Sequence, residues 1–145
     1  MATEVGSSMI ARRIETALVV DDCSVVRMLD TKLLSILGLK VSSAKDGVEA
    51  IAMYEAGEGN FDLIVMDLEM PRMNGIEISI FLLTNLSYIV SFQATTELRA
   101  MGVDCMIIGA TACDDVSRRQ RFMEAGLDRL FNKPLTIANL QSYLN

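Results

Sequence analysis

Two short apolar runs stop abruptly at acids: residues 17–20 read ALVV and meet Asp21 and Asp22, and residues 61–66 read FDLIVM and meet Asp67. Runs this short, without an alternating polar face, predict strands covered on both sides of a sheet rather than helices. Between and after them come segments of a different period. Val25, Met28, Leu29, Leu33, Leu34 and Leu37 recur at helical spacing over residues 24–37, with Ser24 placed to cap and Gly38 to stop the helix. A second strand is predicted at 39–44, a helix at 47–55 ending near Gly57, and a fourth strand at 105–109. A polar amphipathic helix at 114–125 closed by Gly126, a brief strand at 129–131 and a helix at 136–144 complete the pattern. Strict alternation of this kind predicts an α/β fold, a parallel sheet with helices on both faces joined by right-handed crossovers. A chain of 145 residues with 51% hydrophobic and 22% charged residues is enough for one well-buried domain and is not the composition of a disordered segment.

Several function classes are disfavoured early. The net charge of -6 argues against a surface that grips nucleic-acid phosphates, so no direct nucleic-acid binding is expected. The chain has no histidine, which excludes catalytic triads, histidine-ligated metals and phosphohistidine chemistry on this chain; any phosphohistidine must belong to a partner. Cys23, Cys105 and Cys113 are odd in number and lack metal-ligand spacing, and are expected to be buried, reduced thiols. Residues 1–16 form a polar stretch with Arg12 and Arg13 and no long apolar segment, expected to be a flexible leader without a secretion signal. Intracellular residence, cytoplasmic with the nucleus also open, is the expectation.

In open parallel sheets, ligands sit beyond the carboxyl ends of the strands, where strand order reverses. Asp21, Asp22 and Asp67 all fall at such ends. If the first and third strands are neighbours, three carboxylates converge, and their mutual repulsion calls for a cation. Oxygen donors without His or Cys favour Mg²⁺, with Mn²⁺ as a substitute, over zinc. Each acid taken singly reads equally well as a turn or capping residue. Thr111 at the end of the fourth strand and Lys133 after the fifth add a hydroxyl and an ammonium to the same rim. Together the five supply a carboxylate nucleophile, a metal seat, and donors for transferred oxygens, which is what phosphoryl transfer requires.

The segments LVVDD, DLIVMDLEMPRMNG, GATA and FNKP, in that order, resemble the response-regulator receiver family of two-component signalling, over nearly the whole chain from residue 17 to 144. The resemblance implies a (βα)5, flavodoxin-like doubly wound fold with five parallel strands in the order 2-1-3-4-5. It implies that Asp67 accepts a phosphoryl group, that Asp22 and the Glu69 backbone carbonyl join it on Mg²⁺, and that Asp21 helps through water. Thr111 and Lys133 would contact the phosphoryl oxygens, and the Lys133-Pro134 bond would be cis. The segment FMEAGLDRLFNKP followed by LT is similar to single-domain plant response regulators of the type-C group. That likeness implies a histidine-containing phosphotransfer protein or sensor histidine kinase as partner, in a cytokinin-type relay, with the chain acting as a monomer and not as a turnover enzyme.

Two departures stand out. Gly75 to Gly102 runs far beyond the about 10 to 15 residues of a usual helical segment. Residues 78–96, ISIFLLTNLSYIVSFQATT, are apolar and uncharged, and are expected to be an insertion within a receiver domain at 17–145. Residues 78–94 approach the lower length for crossing a bilayer, but a span there would separate the fourth strand from the site, so no membrane association is expected. On the fifth strand, Leu130 stands where the family carries an aromatic switch, and Phe131 faces the other way by strand alternation. An interaction module whose phosphorylation is impaired by the insertion is therefore a rival reading. A Mg²⁺-dependent phosphatase with an aspartyl nucleophile is a remoter one, since Asp67-Leu68-Glu69 imitates the paired acids of haloacid-dehalogenase-like enzymes, but those carry the nucleophile on the first strand. A dinucleotide site fails because VVDDCSVV has no glycine-rich turn.

Overall fold

The computed structural model describes residues 13–68, 91–112 and 114–144. The described strands are β1 (Thr16–Val20), β2 (Lys40–Ala44), β3 (Leu63–Asp67), β4 (Met106–Thr111) and β5 (Arg129–Asn132). Among the described residues the helices are α1 (Ser24–Ile36), α2 (Gly47–Glu55), α3 (Ser91–Ala100), α4 (Val116–Glu124) and α5 (Ile137–Leu144). All strand pairs are parallel, in the order β2-β1-β3-β4-β5. Strand order reverses between β1 and β3, as the resemblance implies.

The sheet divides the core by residue parity. Leu18, Val20, Ile64, Met66 and Ile107 point to one face and pack against Ala50 and Ile51 of α2, Ala94 and Leu98 of α3 and Phe122 of α4. Ala17, Val19, Leu63, Val65 and Ile108 point to the other, against Leu34 of α1 and Leu140 of α5. This two-sided burial is why β1 and β3 read as continuous apolar runs. Leu130 joins the first cluster and Phe131 the second, as strand alternation predicts. Gly109 in β4 lies where a Cβ would meet Leu68 Cδ1 at 2.6 Å and Leu127 Cδ1 at 2.8 Å, so any side chain there would have to push those leucines aside.

Several expectations are corrected. Strand β1 begins at Thr16, and the supposed leader is tied down at its end: Asp62 Oδ2 accepts from the Glu15 and Thr16 backbone N–H groups at 2.9 and 3.1 Å. Cys23, not Ser24, occupies the N-cap of α1, without a side-chain capping bond. The thiol of Cys23 is exposed, whereas Cys105 is buried, and Cys113 lies outside the described residues. Three members of the helical apolar set, Val25, Met28 and Leu29, are 57%, 62% and 57% exposed. Other helix starts follow the sequence closely: Asp46 caps α2 through the Glu49 N–H at 2.8 Å, and Asp115 caps α4 through the Arg118 N–H at 3.0 Å.

Residues 78–90 of the expected insertion lie outside the described residues. Its remainder, 91–96, belongs to α3, where Ala94 and Thr95 are fully buried. Arg99, near the end of that helix, donates to the carbonyls of Gly126, Val103 and Cys105 at 2.9, 2.9 and 2.8 Å and pairs with Asp128 at 2.9 Å. Its guanidinium thereby bolts α3 to the start of β4 and to the turn after α4. No helix among the described residues is long and apolar enough to cross a membrane.

Candidate functional site

The strand ends of β1, β3, β4 and β5 form one rim. At β1 the sheet pairing is carried past the strand by Asp21 N–H donating to the Ala44 carbonyl at 3.1 Å. The Asp21 side chain then accepts from the Cys23 N–H at 2.8 Å, an Asx turn that swings the chain into α1, while Arg27 Nη1 holds the Asp21 carbonyl at 2.7 Å. Asp67 is the last residue of β3, opposite Ala110 of β4. Thr111 ends β4 fully buried, and its carbonyl accepts from the Lys133 N–H at 2.9 Å.

Asp21, Asp22 and Asp67 can each turn one carboxylate oxygen to within 4.8 Å of the others. Asp21 and Asp67 are buried, and Asp22 is exposed at the mouth. Lys133 Nζ forms an ion pair with Asp67 Oδ1. Burial holds the Asp21 carboxyl above its usual range, opposed by the Cys23 N–H and the Lys133 charge and reinforced by Asp22. A group of oxygen donors so crowded, with one member resisting ionisation, fits a hard divalent cation, which would relieve the repulsion. Lys133-Pro134 is cis.

Four of the residues anticipated from the sequence, Asp21, Asp22, Asp67 and Lys133, are thus brought together directly. Thr111 sits at the same rim, one residue beyond the partner of Asp67 on β4. Glu69 lies outside the described residues. Missed from the sequence is Asp30 of α1. It lines a cleft of about 480 Å³ shared with Asp21, Asp67 and Lys133 and walled by Leu29, Leu33 and Leu135. Burial first, and the Asp21 charge second, push its carboxyl up to about 6. An acid in a helix ordinarily faces solvent, and only its spacing of four from the buried Leu34 could have signalled otherwise.

The chain is 43% identical over 130 residues to Two-component response regulator 24 of Arabidopsis thaliana, covering 90% of this chain and 81% of that one. It is 35% identical over 132 residues to Two-component response regulator ARR22 of the same plant, covering 90% and 82%. The fold superposes on the chemotaxis protein CheY4 of Vibrio cholerae with a TM-score of 0.68 at 23% identity, over 90% of this chain and 99% of that one. The response regulator receiver domain family matches residues 17–145. With five parallel strands in the order 2-1-3-4-5 and an acid-rich rim at their carboxyl ends, the chain belongs to the response-regulator receiver domain family.

Proposed function

We propose that this receiver domain takes a phosphoryl group from a partner's phosphohistidine onto Asp67. The observation that carries the reading is the Asp67 carboxylate at the end of β3, paired with Lys133 and flanked by Asp21 and Asp22. An oxygen of Asp67 attacks phosphorus, the P–N bond breaks, and the imidazole nitrogen leaves with the electron pair and then takes up a proton. Lys133 neutralises charge on the transferred oxygens from one side, and the Thr111 hydroxyl donates to them from β4. Asp21, Asp22, Asp67 and the Glu69 backbone carbonyl would hold Mg²⁺, which when bound supplies countercharge to the phosphoryl oxygens. Because none of the 145 residues is a histidine, the phosphohistidine lies outside them, on a histidine-containing phosphotransfer protein or a sensor histidine kinase. The likeness to the Arabidopsis regulators supports a plant relay of the cytokinin type, in the cytoplasm or nucleus.

Docking has a natural place. A donor imidazole must reach a buried carboxylate, so the surface around the mouth has to be covered during transfer. Helix α1 begins at that mouth and exposes Val25, Met28 and Leu29, an apolar patch suited to a helical partner.

The test is label transfer. Incubation with a phosphorylated histidine phosphotransfer protein and Mg²⁺ should move phosphate onto the wild-type chain, and Asp67→Asn should abolish it. No transfer, or transfer unchanged in Asp67→Asn, would leave the alternative of a non-phosphorylated interaction module. That alternative draws support from Leu130, half-buried on β5 where the family's aromatic switch is missing.

A further inference from the structure

Helix α1 carries a carboxylate on its inward line. Asp30 follows Val26 and precedes the fully buried Leu34 by one helical turn each, so periodicity turns it toward the sheet rather than away from it. It shares a cleft with Asp21, Asp67 and Lys133. Among the described residues it accepts no hydrogen bond and joins no ion pair, so its charge is directed at the cleft and is not consumed by a cap or a partner.

We propose that Asp30 is an electrostatic positioning residue of the phosphoacceptor site, its carboxylate strengthening the hold on a divalent cation while opposing the arrival of phosphoryl charge at Asp67. The proposal rests on the phosphoacceptor reading. A cation entering between Asp21, Asp22 and Asp67 feels Asp30 as an additional negative wall. A phosphoryl donor is itself an anion, and the same wall repels it. One carboxylate therefore acts with opposite sign on the two ligands of the site, and it feels the charge of Lys133 across the cleft. At neutral pH the group is ionised for the most part, since it titrates at about 6.

Opposite signs separate this role from a structural one. Mn²⁺ binding, followed by paramagnetic resonance of the free ion, should weaken on the order of tenfold in Asp30→Asn, from the loss of one charge in a partly shielded cleft. With Mg²⁺ saturating and phosphoramidate as the small anionic donor, the labelling rate of Asp67, read by intact mass, should rise several-fold in the same variant. Asp30→Leu, which restores an apolar inward line, should show both shifts and guards against an Asn variant that fails to fold, with melting curves as the control. Unchanged Mn²⁺ affinity in both variants overturns the proposal, as does a labelling rate that falls together with the affinity. If the wild-type chain takes no label at all, the phosphoacceptor reading fails, and with it the phosphoryl half of the proposal, while the Mn²⁺ titration still decides the cation half.

Discussion

Replacing Arg99 with methionine keeps most of the aliphatic stem and removes the guanidinium that bolts α3 to the rest of the domain. Four hydrogen bonds of 2.8 to 2.9 Å are lost, three of them to main-chain carbonyls and one to Asp128. A hydrogen bond to a charged group contributes about 1.5–3 kcal/mol, but the four share one donor and do not add. The Arg99–Asp128 pair is discounted to at most about 1 kcal/mol because the Asp128 side chain is 46% exposed. Asp128 also keeps the Ile107 N–H at 2.8 Å, so it is not orphaned. What remains is the cost of leaving the carbonyls of Val103, Cys105 and Gly126 without this donor, and the sum comes to about 3 kcal/mol. For a domain of this size that lowers Tm by roughly 10 °C. Urea denaturation followed by circular dichroism measures it, with the midpoint falling and the slope unchanged. A loss below about 1 kcal/mol would refute the reasoning, because it would mean that water replaces the guanidinium at every carbonyl.

Three further expectations can be checked. Lys133→Met removes the ammonium that competes for Asp67, so Mn²⁺ should bind more tightly while phosphoryl uptake from the histidine donor falls on the order of a hundredfold; a parallel loss of both would contradict the assigned role. In chelator, Asp30 binds its proton more tightly in the folded chain, near pH 6, than at its ordinary value of 3.8, so ionising it costs stability. Relative to Asp30→Asn, the wild-type chain should therefore lose stability as pH rises from about 4 to about 6 and hold a constant deficit above that, read from Tm at stepped pH; parallel curves across that window would be the contrary result. Gly109→Ala forces a methyl against Leu68 and Leu127 and should cost about 1–3 kcal/mol in urea titrations, with an unchanged midpoint showing that both leucines can turn aside.

The strands and the acids at their ends were legible because their signals are local, whereas the strand order came from the family resemblance. An uninterrupted apolar run means a strand covered on both faces, and the residue that ends it lies at the sheet edge. Helix α1 shows where this fails. Val25, Met28 and Leu29 have the spacing of a buried stripe, yet the sheet lies on the side of Leu34, and the apolar residues near the mouth face solvent. Spacing gives the existence of a stripe, not the direction of the surface it meets. Asp30 was invisible for the same reason. Arg99 was missed differently: its acceptors at 103, 105 and 126 are assembled only when α3, β4 and the turn after α4 are in place. The Glu69 carbonyl and residues 78–90 lie outside the described residues.

Residue parity along the strands has a further consequence. Asp21 and Asp67 continue the rows that face α1 and α5, whereas Thr111 continues the row that faces α2, α3 and α4. Between the two half-cores lies a main-chain partition that side chains do not cross. The rim is where the partition ends, and there the Lys133 N–H is fastened to the Thr111 carbonyl. A packing change made deep in one half-core is screened from the other, while a charge placed at the rim touches both compartments at once. Substitutions could therefore reshape one flank of the molecule without detuning the opposite flank, provided that they leave this shared seam intact.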